Sequence, residues 1–276
     1  MDTFSIAQLQ IQISMSRNKN ILIAILITIV FSSCEKVIDY NLKGVEPAVV
    51  IEGAVTNQTG PHYVIVSNSQ HFKDSNQYVT INNATVIISD DVGNVDTLSL
   101  ILDGLYQTKT TVGVEARTYT LSVFLEGKIY TSVCKMPYQV ELDTLFAEGD
   151  PTTDSGFALT PVYEDPAGVT NFYRFNAFEG SDHIPLIRVR NDKSTNGTRV
   201  RQPVGFNNYY NEGDSATLEM MCIDEQVYQY LFGLSETINT GLNAPASPGN
   251  PISNITGGCL GYFSAHTIQK KSLLIH

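Results

Sequence analysis

Two short segments hold enough carboxylates to suggest chemistry. Residues 90–96 (DDVGNVD) place several oxygen ligands within one turn, and oxygen is the ligand that a hard cation such as Ca²⁺ prefers. The segment lacks the long loop and terminal Glu of an EF-hand, so a polar hairpin turn is favoured. Glu164 and Asp165 are adjacent carboxylates, and paired carboxylates can cleave glycosides. Pro166 and Gly168 follow, however, which is typical of a solvent-facing turn.

The histidines give no catalytic pattern. No HExxH or HxH spacing, no GxSxG elbow and no phosphate-binding glycine-rich loop occurs in the sequence. We therefore predict that the chain is not an enzyme and binds neither a metal nor a cofactor. The histidines, each expected in a strand or on the surface, are His62, His71, His183, His266 and His276.

Four cysteines are present, and none forms a CxxC pair, which disfavours a redox or zinc site. In an oxidising compartment, Cys222 and Cys259 could form a disulfide. Such a bridge would close a loop of about 37 residues and stabilise the fold by about 3 to 4 kcal/mol. The alternative is that both stay reduced. Cys134 lies in a predicted strand and is expected to be a buried free thiol.

Aromatic residues lie in two clusters. Those within residues 172–178 alternate along a strand, which is typical of a core. Phe206, Tyr209 and Tyr210 instead lie among Asn and Gly residues. Because exposed aromatic rings can stack on sugars, we predict that these three form a ligand-binding loop.

Cys34 ends a secretory signal. Arg17 and Lys19 form a short basic region, residues 21–31 are apolar without interruption, and Ser32 and Ser33 precede the cysteine. The apolar run is shorter than the roughly 20 residues that a membrane-spanning helix needs. Small residues before a cysteine resemble the bacterial lipobox, although residue 31 is bulkier than usual there. We predict a signal peptide over residues 1–33, a true start at Met15, and lipidation of Cys34.

The charge of the chain restricts its partners. The net charge is −11, and it becomes −12 when residues 1–33 are removed with Asp2, Arg17 and Lys19. Nucleic acid is excluded as a partner, because binding phosphates needs a basic face. An acidic protein is also repelled by anionic headgroups, so the membrane is expected to hold it through the lipid on Cys34 alone.

The rest of the chain is predicted to be mainly β. After a lipidated tether at residues 34–46, strand-like segments without helical periodicity indicate an immunoglobulin-like β-sandwich at residues 47–138. A second β-rich domain is predicted at residues 139–276, with the boundary near residues 137–143. It carries one helix, at about residues 225–239, capped by Asp224. Its apolar side is predicted to comprise Val227, Leu231, Leu234 and Ile238.

The order of several short motifs resembles one known family. After the lipobox cysteine and EKVID come VVIEGAV, GLYQT, YTLSVFLEGKIYTS, DPAGVTNFYRF, VYQYL and NITGGCLGYFSAH. In this order the chain resembles the uncharacterised Bacteroidetes outer-membrane lipoproteins, number forty-two forty-nine in the domain-of-unknown-function series. The resemblance implies a palmitate-type lipid anchor in the outer membrane, on its periplasmic or cell-surface face, with no established activity. It also implies proximity to TonB-dependent receptors.

These observations predict a non-catalytic binding or interaction accessory in the cell envelope, beside a TonB-dependent transporter. A stand-alone structural or adhesive surface module is the second hypothesis. A hydrolase with an unrecognised site is the third, and it would need several carboxylates or histidines in one cleft.

Overall fold

The computed structural model describes residues 47–70, 79–149, 156–206, 210–239 and 250–276. The predicted signal peptide and tether, residues 1–46, lie outside the described residues. Residues 45–276 form one compact unit. Within the described part of that unit, the chain forms sixteen strands and one helix, which confirms that the fold is mainly β.

The strands fall into three sheets. The strands in chain order are β1 (Val49–Thr56), β2 (Tyr63–Asn68), β3 (Val79–Thr80), β4 (Thr85–Asp90), β5 (Val95–Thr97), β6 (Ser99–Leu102), β7 (Leu105–Gln107), β8 (Thr118–Leu125), β9 (Lys128–Lys135), β10 (Leu142–Gly149), β11 (Phe157–Glu164), β12 (Phe172–Glu179), β13 (Asp182–Asn191), β14 (Arg199–Arg201), β15 (Ser215–Ile223) and β16 (Leu260–Leu274). A nine-stranded sheet has the order β13-β12-β15-β16-β1-β2-β7-β6, with β3 paired to β2. The other two have the orders β5-β4-β8-β9 and β10-β11-β14.

The first half of the chain contains a sandwich. Strand β8 alternates as its sequence predicts, with Tyr119, Leu121 and Val123 buried between partly exposed Thr and Ser residues. These side chains share one hydrophobic core with Ile51 and Val64 of the nine-stranded sheet. Two sheets therefore bury their apolar faces against each other, as in other β-sandwiches.

Neither the large sheet nor the sandwich core is confined to one side of the predicted boundary at residues 137–143, since Met221, Val227 and Phe263 belong to the same core as Ile51 and Val64. Strand β16 pairs in parallel with β1 along Leu260–His266 and then antiparallel with β15. The last strand is therefore built into the sheet of the first half. Gly261 permits this pairing, since it has a φ of 93° and an added Cβ would lie 2.0 Å from the carbonyl oxygen of Ile51.

A second core lies between the three-stranded sheet and the β12–β15 part of the large sheet. Leu142, Leu159, Tyr173, Phe175 and Leu218 are among its buried members. It is separate from the sandwich core and belongs wholly to residues 140–275.

The helix α1 (Glu225–Asn239) has the predicted bounds. Asp224 caps it, because its carboxylate accepts a hydrogen bond from the Gln226 amide at 2.8 Å. Val227 and Leu231 are buried against the sandwich core, whereas Ile238 is exposed, so the apolar side is shorter than predicted. Among the residues described, no helix is both long and apolar enough to span a membrane.

Candidate binding groove

An open groove of about 540 Å³ lies where three segments of the chain converge. One wall is the end of β9 and the following residues 135–140, the second is the β11–β12 turn at residues 166–172, and the third is the junction of β15 and α1 at residues 222–225. We call this cavity the junction groove. Its walls come from both halves of the chain, so only the complete fold forms it.

The walls of the junction groove are mostly apolar, and the charged groups lie at its rim. Tyr138 and Val169 are exposed on opposite walls, which leaves apolar surface open to solvent. Lys135 and Glu225 are also exposed lining residues. Burial raises the pKa of the Asp224 carboxyl, although amide hydrogen bonds from Gln226 and Val227 oppose that shift. Concave apolar walls with a few polar groups are typical of ligand sites.

Two loops hold the β11–β12 wall in place. The loop at residues 165–171 and the loop at residues 192–198 hydrogen-bond to each other through main-chain and side-chain groups. The Asn171 amide donates to the Asp192 carboxylate at 2.8 Å, and the Gly168 amide donates to the Asn196 side chain at 2.9 Å. The wall therefore has a fixed shape.

Asp165 begins the first loop and is buried beneath it. The hydroxyl of Tyr173 donates a short hydrogen bond to one oxygen of Asp165. Burial raises the pKa of the Asp165 carboxyl, the Tyr173 hydrogen bond opposes this, and the charge of Asp192 adds to it. Burial, together with the hydrogen bond to Asp165, also raises the pKa of Tyr173.

Some buried oxygens in these loops have unused hydrogen-bonding capacity. Within the described residues, no partner is found for the side-chain oxygens of Asp165 (Oδ2), Asn171 (Oδ1) and Thr195 (Oγ1). Asn171 also lines the junction groove. The groove can receive an apolar group.

One comparison identifies the family. The model of the family described as Domain of unknown function (DUF4249) matches residues 35–272, which is most of the chain. The chain belongs to the DUF4249 family. No curated protein matches it. The resemblance seen in the order of the sequence motifs is therefore confirmed.

The sequence predicted an exposed aromatic loop in this DUF4249 protein, and the structure corrects that prediction. Phe206 and Tyr210 are fully buried in the second core, and Tyr209 lies outside the described residues. Arg188 lies over the ring of Phe206, and the Tyr210 hydroxyl donates to the carbonyl of Phe178 at 3.1 Å. The neighbouring Asn and Gly residues suggested exposure, but local composition does not reveal which sheet a ring meets.

The disulfide between Cys222 and Cys259, which the sequence left open beside the alternative of two reduced thiols, is not formed. Both residues, like Cys134, are buried free thiols. Cys222 belongs to the second core and accepts a hydrogen bond from the Val140 amide, whereas Cys259 belongs to the sandwich core. The two cores lie on different sides of the fold, so sequence spacing gave no guide to pairing. Burial raises the pKa of the Cys134 thiol to about 12, as expected of an inert structural cysteine.

The carboxylate segment 90–96 forms the β4–β5 hairpin turn that the sequence favours over a cation loop. Asp90 accepts hydrogen bonds from the amides of Val92 and Asn94 and pairs with Arg117 at 3.0 Å. Asp96 is buried, and one of its oxygens accepts four hydrogen bonds from residues 109–111. Of the second segment, exposed Glu164 pairs with Arg199, whereas Asp165 is buried and not the solvent-facing turn residue that the sequence predicted.

A Ser–His pair was missed by sequence reasoning. The Ser264 hydroxyl and the Nδ1 atom of His266 lie 2.8 Å apart on one face of β16, and both residues are buried. Burial lowers the pKa of His266 to about 3, with smaller contributions from Arg174 and His62. A two-residue spacing on a strand is the only sequence signal for this pair. Across the described residues, no group of three or more His, Cys, Asp and Glu side chains could hold a metal ion.

Proposed function

We propose that this DUF4249 protein is an outer-membrane lipoprotein, cleaved before Cys34 and lipidated there. In this proposal it acts as a non-catalytic binding accessory beside a TonB-dependent transporter. The observation that carries the proposal is the start of the family match at Glu35, directly after the cysteine that ends the signal. The matched domain thus begins where a lipidated mature chain would begin.

The junction groove supports the binding role. Its walls present apolar surface to solvent. A soluble protein rarely leaves such concave apolar surface uncovered without a ligand or partner. The groove is therefore the site that we assign to the ligand or partner.

The groove lies near the C-terminal end of β1. Strand β1 runs from Val49, close to the start of the described chain, to Thr56. Its next residue, Asn57, donates a hydrogen bond at 2.9 Å to Gln139, which lines the groove. Eight strand residues span about 26 Å. The groove therefore lies about one strand length from Val49, the first residue of β1.

Mild crosslinking of intact cells tests this proposal. Cells expressing the C-terminally tagged protein would be compared with cells expressing Cys34→Ala, and the adducts would be identified by mass spectrometry. Recovery of one TonB-dependent receptor with the wild type, and its loss with Cys34→Ala, is the expected result. A membrane-bound wild type that yields no barrel protein would contradict the transporter role and leave a stand-alone surface module.

A further inference from the structure

Two neighbouring loops each turn two polar side chains inward. The loop at residues 165–171 joins β11 to β12, and the loop at residues 192–198 joins β13 to β14. Every other residue of these loops is exposed, and the buried ones are Asp165, Asn171, Asp192 and Thr195. Each of the four side chains carries an oxygen. We call these four residues the oxygen cluster.

Hydrogen bonds between the two loops bring the oxygen cluster together. At one end, the Asn171 amide donates to the Asp192 carboxylate at 2.8 Å, and the Asp192 amide donates to the Asn171 carbonyl at 3.2 Å. At the other end, the Asp165 amide donates to the Thr198 carbonyl at 2.9 Å. Thr195 lies on the turn between these ends, since its amide donates to the Asp192 carbonyl at 2.8 Å. The four side chains are therefore held in one small region.

The two carboxylates of the oxygen cluster form no ion pair with a basic side chain among the described residues. Asp165 is 3% exposed and Asp192 is 2% exposed. Burial is the main cause of the raised pKa of the Asp165 carboxyl, and the charge of Asp192 raises that pKa further, so the two groups are close enough to repel each other. Buried charges are normally paired with an opposite charge or bound to a metal ion.

Three oxygens of the cluster make no hydrogen bond with any described residue, nor with one another. They are Oδ2 of Asp165, Oδ1 of Asn171 and Oγ1 of Thr195. Asn171 is 8% exposed and Thr195 is 5% exposed, so solvent does not replace the missing partners. A buried water molecule could bond to the same oxygens, but it would leave the two carboxylate charges unbalanced. A divalent cation supplies both the charge and the contacts.

We propose that the oxygen cluster is a Ca²⁺ site, in which Asp165 and Asp192 supply the charge and Asn171 and Thr195 supply neutral oxygens. Water or main-chain oxygens would complete the shell, since Ca²⁺ takes about six to eight oxygen ligands. Such a site departs from the sequence-based expectation of no metal, which rested on the histidine pattern. The ion would tie the two loops together and so hold one wall of the junction groove. The site lies within residues 165–198, so it depends neither on the lipid anchor nor on a transporter.

Thermal unfolding with and without calcium tests the proposal. The full-length purified protein would be freed of metal with a chelator, and its melting temperature would be measured in CaCl₂ and in MgCl₂, each at about 10 mM. With a dissociation constant of about 0.1 to 1 mM, as in extracellular calcium modules, calcium should raise the melting temperature by about 5 °C. Magnesium should raise it less, because Mg²⁺ demands a near-ideal octahedron and gives up its water reluctantly. No shift with calcium, or an equal shift with both ions, would overturn the proposal.

Two substitutions distinguish a calcium site from a loop held by hydrogen bonds alone. Asp165→Asn keeps an oxygen for the Tyr173 hydroxyl but removes one charge, and Thr195→Val removes a hydroxyl that bonds to no described residue. In calcium-free buffer, both variants should melt within about 3 °C of the wild type. Titration calorimetry with CaCl₂ should show affinity lowered about tenfold by Asp165→Asn, and lowered less by Thr195→Val.

Glu164→Gln is the matched control, since it neutralises the adjacent carboxylate, which is exposed and pairs with Arg199 outside the oxygen cluster. It should leave the affinity for calcium unchanged. Equal losses from Glu164→Gln and Asp165→Asn would overturn the site, and so would unchanged affinity in both cluster variants.

Discussion

Two buried aspartates, one in each half of the molecule, have opposite environments. Asp96 is 5% exposed and accepts four hydrogen bonds, three of them from main-chain amides. Asp165 is 3% exposed, accepts a hydrogen bond from Tyr173, and has one oxygen without a partner in the described residues. Burial raises the pKa of both carboxyls, but the amide donors reverse the shift at Asp96, whereas the pKa of Asp165 stays raised.

The difference separates a structural site from a candidate binding site. At Asp96 the donors are in place, so the carboxylate completes the loop at residues 109–111 and holds the sandwich together. Around Asp165 the acceptors outnumber the donors, and the loop that it begins forms a wall of the junction groove. Unused polar capacity next to an apolar groove is what a binding site requires.

The largest effect is expected from Asp96→Ala. Loss of the carboxylate leaves three part-buried amides without their acceptor, which should lower the free energy of unfolding by about 3 kcal/mol. Urea denaturation at neutral pH measures this, with Asp91→Ala as a control on the same turn. If the two variants lose equal stability, the structural role of Asp96 is refuted.

Asp165→Asn should lower the free energy of unfolding far less than Asp96→Ala does. It should also change how that free energy depends on pH. A raised carboxyl pKa in the folded state means that the folded protein holds the proton over a range where the unfolded chain, with a pKa of about 3.9, has lost it. The wild type therefore loses stability as the pH rises from the unfolded pKa through the raised folded pKa. Asp96 acts in the opposite direction, since its stabilisation is lost as the pH falls through its lowered pKa.

The variant Asp165→Asn keeps an acceptor for Tyr173 but cannot ionise. We expect its unfolding free energy at neutral pH to lie within about 1 kcal/mol of the wild type. Denaturation midpoints measured over a pH series test this. Above the unfolded pKa, the midpoint of the wild type should fall as the pH rises, and this fall should be smaller in the variant. A loss as large as that of Asp96→Ala would show that Asp165 is a structural carboxylate too.

The junction groove predicts a loss of binding without a loss of stability. Val169→Asp places a charge on an exposed apolar wall, and it should reduce recovery of the receptor about tenfold, which corresponds to 1.4 kcal/mol. Its unfolding free energy should change by less than about 0.5 kcal/mol. Val92→Asp, at the exposed β4–β5 turn, is the matched control. Equal recovery with both variants would show that the groove does not bind the receptor.

The smallest effect is expected from a reducing agent. Since Cys134, Cys222 and Cys259 are buried free thiols, reduction should leave the melting temperature of the protein unchanged. The protein would be alkylated before and after unfolding, and its mass would be measured. All three thiols should be unreactive in the folded protein and reactive once it is unfolded. A pair of thiols that reacts with the alkylating agent only after reduction would show that the protein contains a disulfide.

Much of the fold was predictable because its signals are local. The alternation of Tyr119, Leu121 and Val123 fixes the buried face of β8, and Asp224 followed by Val227 and Leu231 fixes the helix. The pairing of β16 with β1 was not predictable, since it joins residues about 210 positions apart and depends on Gly261. The burial of Phe206 and the junction groove were missed for the same reason, because distant segments create both.

The mass of the mature N-terminal peptide tests the central claim most directly. The tagged protein would be isolated from the membrane fraction, digested, and searched for the peptide that begins at Cys34. The account predicts a chain that begins at Cys34 and carries acyl groups on that residue. An unmodified Cys34, or a mature chain that begins at another residue, would contradict the lipid anchor and with it the membrane-bound partner.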